Sequence, residues 1–259
     1  MSLLLIDAGN TRIKWAIHSG DGLNAKFKQQ GHTSFNDFEA VLSLPEFQNI
    51  DELIYSSVIG EDQTHLVLSA CLKALPTLQV QRIQGNSGIQ HLPSRYTDAS
   101  QLGSDRRAML LGASHLLPNK NLMVIGSGTA TTIDFLIEGQ HLGGWIVPGF
   151  QLMADSLGNN TANLPTINES HLKHQPIALG LTTEHGITQG ILASQLGVIS
   201  VAHQYGIDQH FDIEACVSSG GNAPRLNEAL KASLGLTILH EPDLVLKGLL
   251  AWKSMDFAQ

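Results

Sequence analysis

Cations are scarce in this chain. Lys and Arg together number 15 against 23 Asp and Glu, a formal net charge of −8, and a protein of that sign repels nucleic acid and anionic membranes rather than collecting on them. Cysteine is scarcer still. Cys71 and Cys216 are the only two, too few for a disulfide framework or a thiolate zinc site, so a reducing cytoplasm is the expected setting. No window approaches the ~20 apolar residues of a membrane span. The first apolar run, Leu3 to Ile6, stops at Asp7 without the basic flank or cleavage site of a signal peptide. Nucleotide and hydrolase signatures are missing too: no Gly-Lys dipeptide for a Walker A loop, no third glycine after Gly126-x-Gly128, and no G-x-S-x-G elbow. Twelve histidines are present without an HExxH, and the nearest metal-like spacing, His171-x-x-His174, has no third ligand beside it and reads as surface.

What is present is ordinary globular material. Hydrophobic residues make up 42% and charged ones only 15% of 259 residues, which excludes disorder and a coiled coil and allows one large domain or two small ones. Leu3 to Asp7 reads as a buried strand, and Ile13, Trp15 and Ile17 alternate with polar neighbours as a second strand beyond a turn at Gly9-Asn10-Thr11. A weaker third strand falls at 25–29. Helices at 35–47 and 63–74 and strands at 53–59 and 78–83 complete the order β-β-β-α-β-α-β. Residues 85–102 read as a loop, and Gly103-Ser104-Asp105-Arg106-Arg107 opens an apolar helix to 117. Pro118-Asn119-Lys120 then marks a boundary, with expected halves 1–118 and 119–259. The plan restarts beyond it: Leu122 to Gly128 overlays the first strand and turn, with Ile125 on Ile6 and Gly128 on Gly9. Strands at 132–137 and 141–147, a helix at 183–205, a strand at 215–218, a helix at 224–233, a strand at 236–240 and a helix at 242–253 repeat the first half, with an insertion after the third strand.

Three glycine turns stand at strand ends: Asp7-Ala8-Gly9-Asn10-Thr11, Gly126-Ser127-Gly128-Thr129-Ala130 and Ser218-Ser219-Gly220-Gly221. Backbone N–H groups in such turns can hold phosphate without lysine; singly, each is also an ordinary tight turn. Asp7, a carboxylate ending an apolar strand, reads either as a Mg²⁺ anchor or as the cap of its own turn. Asp105 opens a helix beside Arg106 and Arg107 in a chain of six arginines. A carboxylate that takes a hydroxyl proton next to a guanidinium that pairs with an anion suits a kinase acceptor site; a capped helix with an internal ion pair is the structural reading of the same residues.

Five motifs in order carry a resemblance: Asp7-x-Gly9-Asn10-Thr11-x-x-Lys14; Tyr96 followed by Gly103-x-Asp105-Arg106; Gly128-Thr129-Ala130-x-Thr132-x-Asp134; Gly143-Gly144-x-Ile146-x-Pro148-Gly149; and Thr183 to Gly190. Over nearly its whole length the chain resembles the type III pantothenate kinases. That resemblance implies an α/β fold of two ribonuclease H-like halves, each a mixed sheet, with ATP in a central cleft, as in the acetate and sugar kinase, Hsp70 and actin superfamily. It implies phosphorylation of the primary hydroxyl of pantothenate to 4'-phosphopantothenate, the first step of coenzyme A synthesis, by a cytoplasmic homodimer whose pocket is completed by the partner subunit. Asp7 would help hold Mg²⁺, with Gly9, Asn10, Thr11 and Lys14 around the phosphates of ATP. Gly128, Thr129 and Ala130 would form the second phosphate turn, and Gly220 and Gly221 would lie at the adenosine. Asp105 would be the general base, and Tyr96, Gly103, Ser104, Arg106 and Thr183 would shape the pantothenate pocket. Many members carry an Asp at the position of Gly126, where it serves a potassium or ammonium site, so this chain departs from the family there. The alternative reading is a regulatory protein that keeps the nucleotide fold and has weakened catalysis, for which the missing acid at Gly126 is the best sequence argument.

Overall fold

The computed structural model describes residues 2–20, 26–167, 177–235 and 237–256, with the side chains of 232–234 and 256 left aside. The chain divides into two compact units, residues 1–116 with 244–259, and residues 117–243.

In the first unit β1 (Ser2–Ala8), β2 (Ile13–Ser19) and β3 (Gln29–Thr33) form an antiparallel meander; α1 (Phe38–Leu42), β4 (Glu52–Ser57), α2 (Glu61–Ala74), β5 (Gln79–Arg82) and α3 (Ser104–Leu116) follow. The sheet runs β3-β2-β1-β4-β5, with β4 parallel to β1 and β5 parallel to β4. The centre strand β1 is covered on both faces. Leu4, Ile6 and Ala8 join Trp15, Phe38, Phe47, Val67 and Cys71 in one core, while Leu3 and Leu5 are buried on the other side. Burial on both faces is why its sequence is an unbroken apolar run rather than an alternation.

Two elements differ from the sequence reading. The third strand lies four residues further on, at Gln29–Thr33, with Gly31 opposite Trp15 across the ladder. The helix expected through 47 stops at Leu42 and resumes as a single 3₁₀ turn, Pro45–Phe47, because Leu44 before the proline is extended; proline crowds the preceding residue out of the helical region.

The second unit repeats the plan. β6 (Leu122–Ser127), β7 (Ala130–Ile137) and β8 (Gln140–Pro148) form the meander, then come α4 (Phe150–Asn160), α5 (Thr183–Asp208), β9 (Ala215–Ser219), α6 (Ala223–Leu234) and β10 (Thr237–His240). The sheet order β10-β9-β6-β7-β8 is the first sheet's order, with β9 parallel to β6 and to β10. The insertion after the third strand holds α4, which the sequence reading did not foresee, and the stretch leading to α5. His171 and His174 lie outside the described residues. Met123, Ile125, Ile133 and Phe135 share a core with Ile191, Leu196 and Ile199 of α5 and Leu226 and Leu230 of α6.

The final helix, α7 (Leu244–Asp256), was expected within the second half, 119–259, but it belongs to the first unit, where it packs along α3. The crossing is close because it is made at glycines. A Cβ on Gly248 would sit 1.8 Å from the Ala108 carbonyl oxygen, and one on Gly112 would sit 2.6 Å from that of Leu244, so no larger residue fits either position.

Candidate functional site

The site residues of the first unit gather where β1 and β4 end and α3 begins. Asp7 stands opposite Lys14 in the hairpin and beside Ser56 in the parallel pair. Ser56 Oγ and Ser104 Oγ are 3.0 Å apart, and Ser104 Oγ donates to the Ser57 carbonyl at 3.0 Å. A hydroxyl has one hydrogen, so Ser56 is the donor to Ser104. These bonds fix the start of α3 against β4 and so set the next residue, Asp105, within electrostatic range of Asp7. The Asp7 carboxyl is pushed up to about 7, chiefly by burial and next by the charge of Asp105, while Lys14 and Arg12 pull it down. Two carboxylates in that relation favour a cation between them.

Asp105 is half-buried in the first turn of α3. Its Oδ1 accepts from the Arg106 backbone N–H at 2.7 Å, which orients the carboxylate at the positive end of the helix. Arg106, only 4% exposed, donates from Nη1 to the Tyr96 hydroxyl at 3.0 Å, and its guanidinium carbon lies 5.7 Å from that ring's centroid. Asp105, Arg106 and Tyr96, predicted together, are therefore found together, with Gly103 beside them. Ser104 stands there as well, but its hydroxyl is engaged within the chain.

The first glycine turn, Gly9 to Thr11, is closed by a Gly9 N–H bond to the Arg12 carbonyl at 3.1 Å. In the second unit the counterpart is one residue tighter, with Gly128 N–H donating to the Ala130 carbonyl at 3.0 Å. Neither glycine is demanded by the chain's own packing. A Cβ on Gly9 would meet only Arg12 O at 3.6 Å, and one on Gly128 only Ala130 O at 4.0 Å, so the space beside both turns is open to a ligand. Gly220 is different: with φ of +102° and Ser127 O 2.3 Å from a Cβ, its glycine is required by the fold. It brings the third turn onto the second, where Asn222 N–H donates to Ser127 O at 3.1 Å. Gly128 and Thr129 are exposed, as is Gly221.

Thr183 opens α5 in the second unit, where it lines a hollow of about 660 Å³ between α4 and α5 with Met153, Leu157, Ile187 and Ile191. Just before it, Leu179 and Leu181 are 87% and 90% exposed. Asp134, a motif residue, is fully buried and bonded to His141 Nε2 at 2.9 Å, across the β7–β8 hairpin, so it staples the sheet. Gly126 pairs with Thr132 in the ladder and brings no side-chain oxygen. Among the described residues no group of three or more His, Cys, Asp or Glu is placed to hold a metal, and no helix is long and apolar enough to cross a membrane.

Sequence reasoning missed Ser56, Ser57 and Gln195. The serine pair is a polar interruption at the end of the run Leu53-Ile54-Tyr55, a readable signal of a strand end that meets something polar. Gln195, buried in α5, accepts from Thr131 Oγ1 at 2.6 Å and donates to the Pro148 carbonyl at 2.9 Å, bracing the start of β7 and the end of β8.

Comparison with known proteins bears on the family and the fold. A model of the family described as type III pantothenate kinase matches residues 3–204. A protein of Idiomarina loihiensis named type III pantothenate kinase is 36% identical over 263 residues, which cover 95% of this chain and 97% of that protein. Among solved structures, a Baf family protein from Campylobacter jejuni described as a transcriptional activator superposes with a TM-score of 0.58 at 17% identity, covering 99% of this chain and all of that one. A glucokinase from an Antarctic psychrotroph superposes at 0.51 with 13% identity, covering 96% and 98%. At those identities the structural likenesses speak for the fold alone, the duplicated fold of sugar kinases.

Proposed function

The chain belongs to the type III pantothenate kinase family, and from that membership we propose that it transfers the γ-phosphoryl group of ATP to the primary hydroxyl of pantothenate, giving 4'-phosphopantothenate and ADP. The observation that carries the reading is the constellation at the start of α3: a half-buried Asp105 held by the Arg106 N–H, with Arg106 bonded to Tyr96. Asp105 accepts the hydroxyl proton as the oxygen bonds to the γ-phosphorus and the bond to the ADP oxygen breaks; Arg106 faces the carboxylate of pantothenate. Transfer of this kind needs positioning and charge neutralisation more than covalent chemistry. In the first unit the backbone amides of Gly9 to Thr11, with Lys14, suit phosphate; in the second unit the amides of Gly128 to Ala130 do the same, and Gly220 and Gly221 suit the adenosine.

Asp7 suits a Mg²⁺ ion, since a carboxylate whose ionisation is opposed by burial and by Asp105 gains most from a divalent partner. Mg²⁺ there would offset phosphate charge. The monovalent cation lacks its family carboxylate: Gly126 supplies no side-chain oxygen, and the adjoining Ser127 and Thr132 offer only buried hydroxyls. A homodimer is supported by Leu179 and Leu181, apolar and exposed beside Thr183, the residue that would complete the pantothenate pocket of the partner. A cytoplasmic setting follows from the substrates. The regulatory alternative is not favoured, because Asp7, Asp105 and Arg106 are kept and arranged for chemistry. Incubation of the purified chain with ATP and pantothenate tests the proposal; nucleotide binding without any phosphopantothenate in either potassium or sodium would overturn it.

A further inference from the structure

Arg107 is the largest fully buried side chain among the described residues, and the reaction proposed above leaves it without a task. It lies next to Arg106 on α3 but points about 100° round the helix from it, away from the Asp105 carboxylate. Its Nε donates to the Ser87 carbonyl at 2.6 Å and its Nη1 to the Leu92 carbonyl at 2.8 Å, while Nη2 is buried without a partner. No carboxylate among the described residues pairs with it. Burial lowers it to about 10, so it stays charged at neutral pH.

A lone buried charge is costly, and a core position of this kind is ordinarily filled by an apolar residue. The two carbonyls explain the choice. They belong to residues 83–103, a connection between β5 and α3 with no regular element beyond one 3₁₀ turn at Ala99–Gln101. Loops of that length in compact domains are usually functional, and this one carries Tyr96. A guanidinium is the side chain whose rigid fork serves two acceptors at once. From Leu92 the chain reaches Tyr96 in four residues, the first of them Pro93, whose φ is locked. Fixing the Ser87 and Leu92 carbonyls therefore leaves Tyr96 little freedom, and Arg106 holds the Tyr96 hydroxyl from the same helix. Consecutive arginines fasten two successive stretches of one loop, Ser87 to Leu92 and Tyr96, to the helix that bears Asp105.

We infer that Arg107 is a positioning residue for the acceptor half of the reaction: it touches no substrate, and it holds the Tyr96 loop to α3 so that the acceptor pocket is preformed. The kinetic part of the test rests on pantothenate being the acceptor; the structural part does not.

The test uses the full-length Arg107→Met and Arg107→Lys variants. For Arg107→Met, folding confirmed by circular dichroism, the expected result is a KM for pantothenate raised at least tenfold with the KM for ATP within twofold of the parent. Amide hydrogen exchange should quicken in 86–96 and not in β1 or β6. Arg107→Lys keeps the charge and can serve one carbonyl, so it should recover part of the loss. A packing role alone would instead lower kcat with the folded fraction and leave both KM values unmoved. If Arg107→Met does not fold, Arg107→Lys decides: a pantothenate KM equal to the parent's with unchanged exchange in 86–96 overturns the inference. If the parent protein fails to phosphorylate pantothenate while the variants still show selective exchange in 86–96, the acceptor assignment has failed and the loop-fastening role stands.

Discussion

Ser56 donates a hydrogen bond to Ser104 across 3.0 Å, and this contact between a strand end and a helix start sets the electrostatic relation of Asp7 to Asp105. Those two carboxylates lie in segments 98 residues apart in the chain, yet the charge of Asp105 helps to raise the Asp7 carboxyl. Most of the behaviour expected of the first unit follows from that arrangement.

Asp105→Asn should keep its geometry, since an amide oxygen can still accept from the Arg106 N–H, but it cannot take a proton. We expect kcat to fall by ~10²–10⁴ with ATP affinity little changed, measured by coupled ADP release and by nucleotide titration. Loss of less than tenfold would remove Asp105 from the role of base.

Asp7 makes the ligand-free protein pH-sensitive. Its folded-state pKa, about 7 against an ordinary 3.8, is raised, so the stability it contributes is fully present below the unfolded value and is lost as pH rises through about 7. Asp7→Asn removes that loss. The variant should melt at nearly the parent's temperature near pH 4 and above it at about pH 8, where each ~1 kcal/mol gained is roughly 2–4 °C, and phosphoryl transfer should be lost. Equal melting curves at both pH values would refute the coupling.

The bond from Arg106 to Tyr96 is charge-assisted, a class worth roughly 1.5–3 kcal/mol. Tyr96→Phe deletes the acceptor and leaves the ring beneath the guanidinium. Pantothenate KM should rise about tenfold, with ATP KM unaffected; steady-state kinetics with each substrate varied in turn would reveal a contrary result.

Because Gly126 brings no carboxylate to the second turn, turnover should be the same in potassium, ammonium and sodium at equal ionic strength. Stimulation of tenfold or more by potassium over sodium would mean that other groups, such as the hydroxyls of Ser127 and Thr132, hold a cation.

Leu181→Asp places a charge on an almost fully exposed leucine, where a monomer would tolerate it. In the proposed dimer it should give a monomer by light scattering, with ATP bound and pantothenate turnover lost. A parent protein that scatters as a monomer would contradict the shared pocket.

The sequence by itself determined the duplicated β-β-β-α-β-α-β plan, because strand alternation, glycine turns and helix starts are local properties of a dozen residues or fewer. It also pointed to Asp105 and Arg106 as an acceptor site, since scarce arginines beside a helix-opening carboxylate can be recognised without coordinates, whereas Tyr96 joined them only through the family resemblance. Tertiary structure alone decided the rest. It assigned α7 to the first unit, since the backbone approach at Gly112 and Gly248 is made by residues far apart in the chain. It likewise turned two adjacent arginines to different work. Arg106 faces the tyrosine and Arg107 the loop carbonyls, because successive residues on a helix point about 100° apart and only the packing around α3 determines what each direction meets.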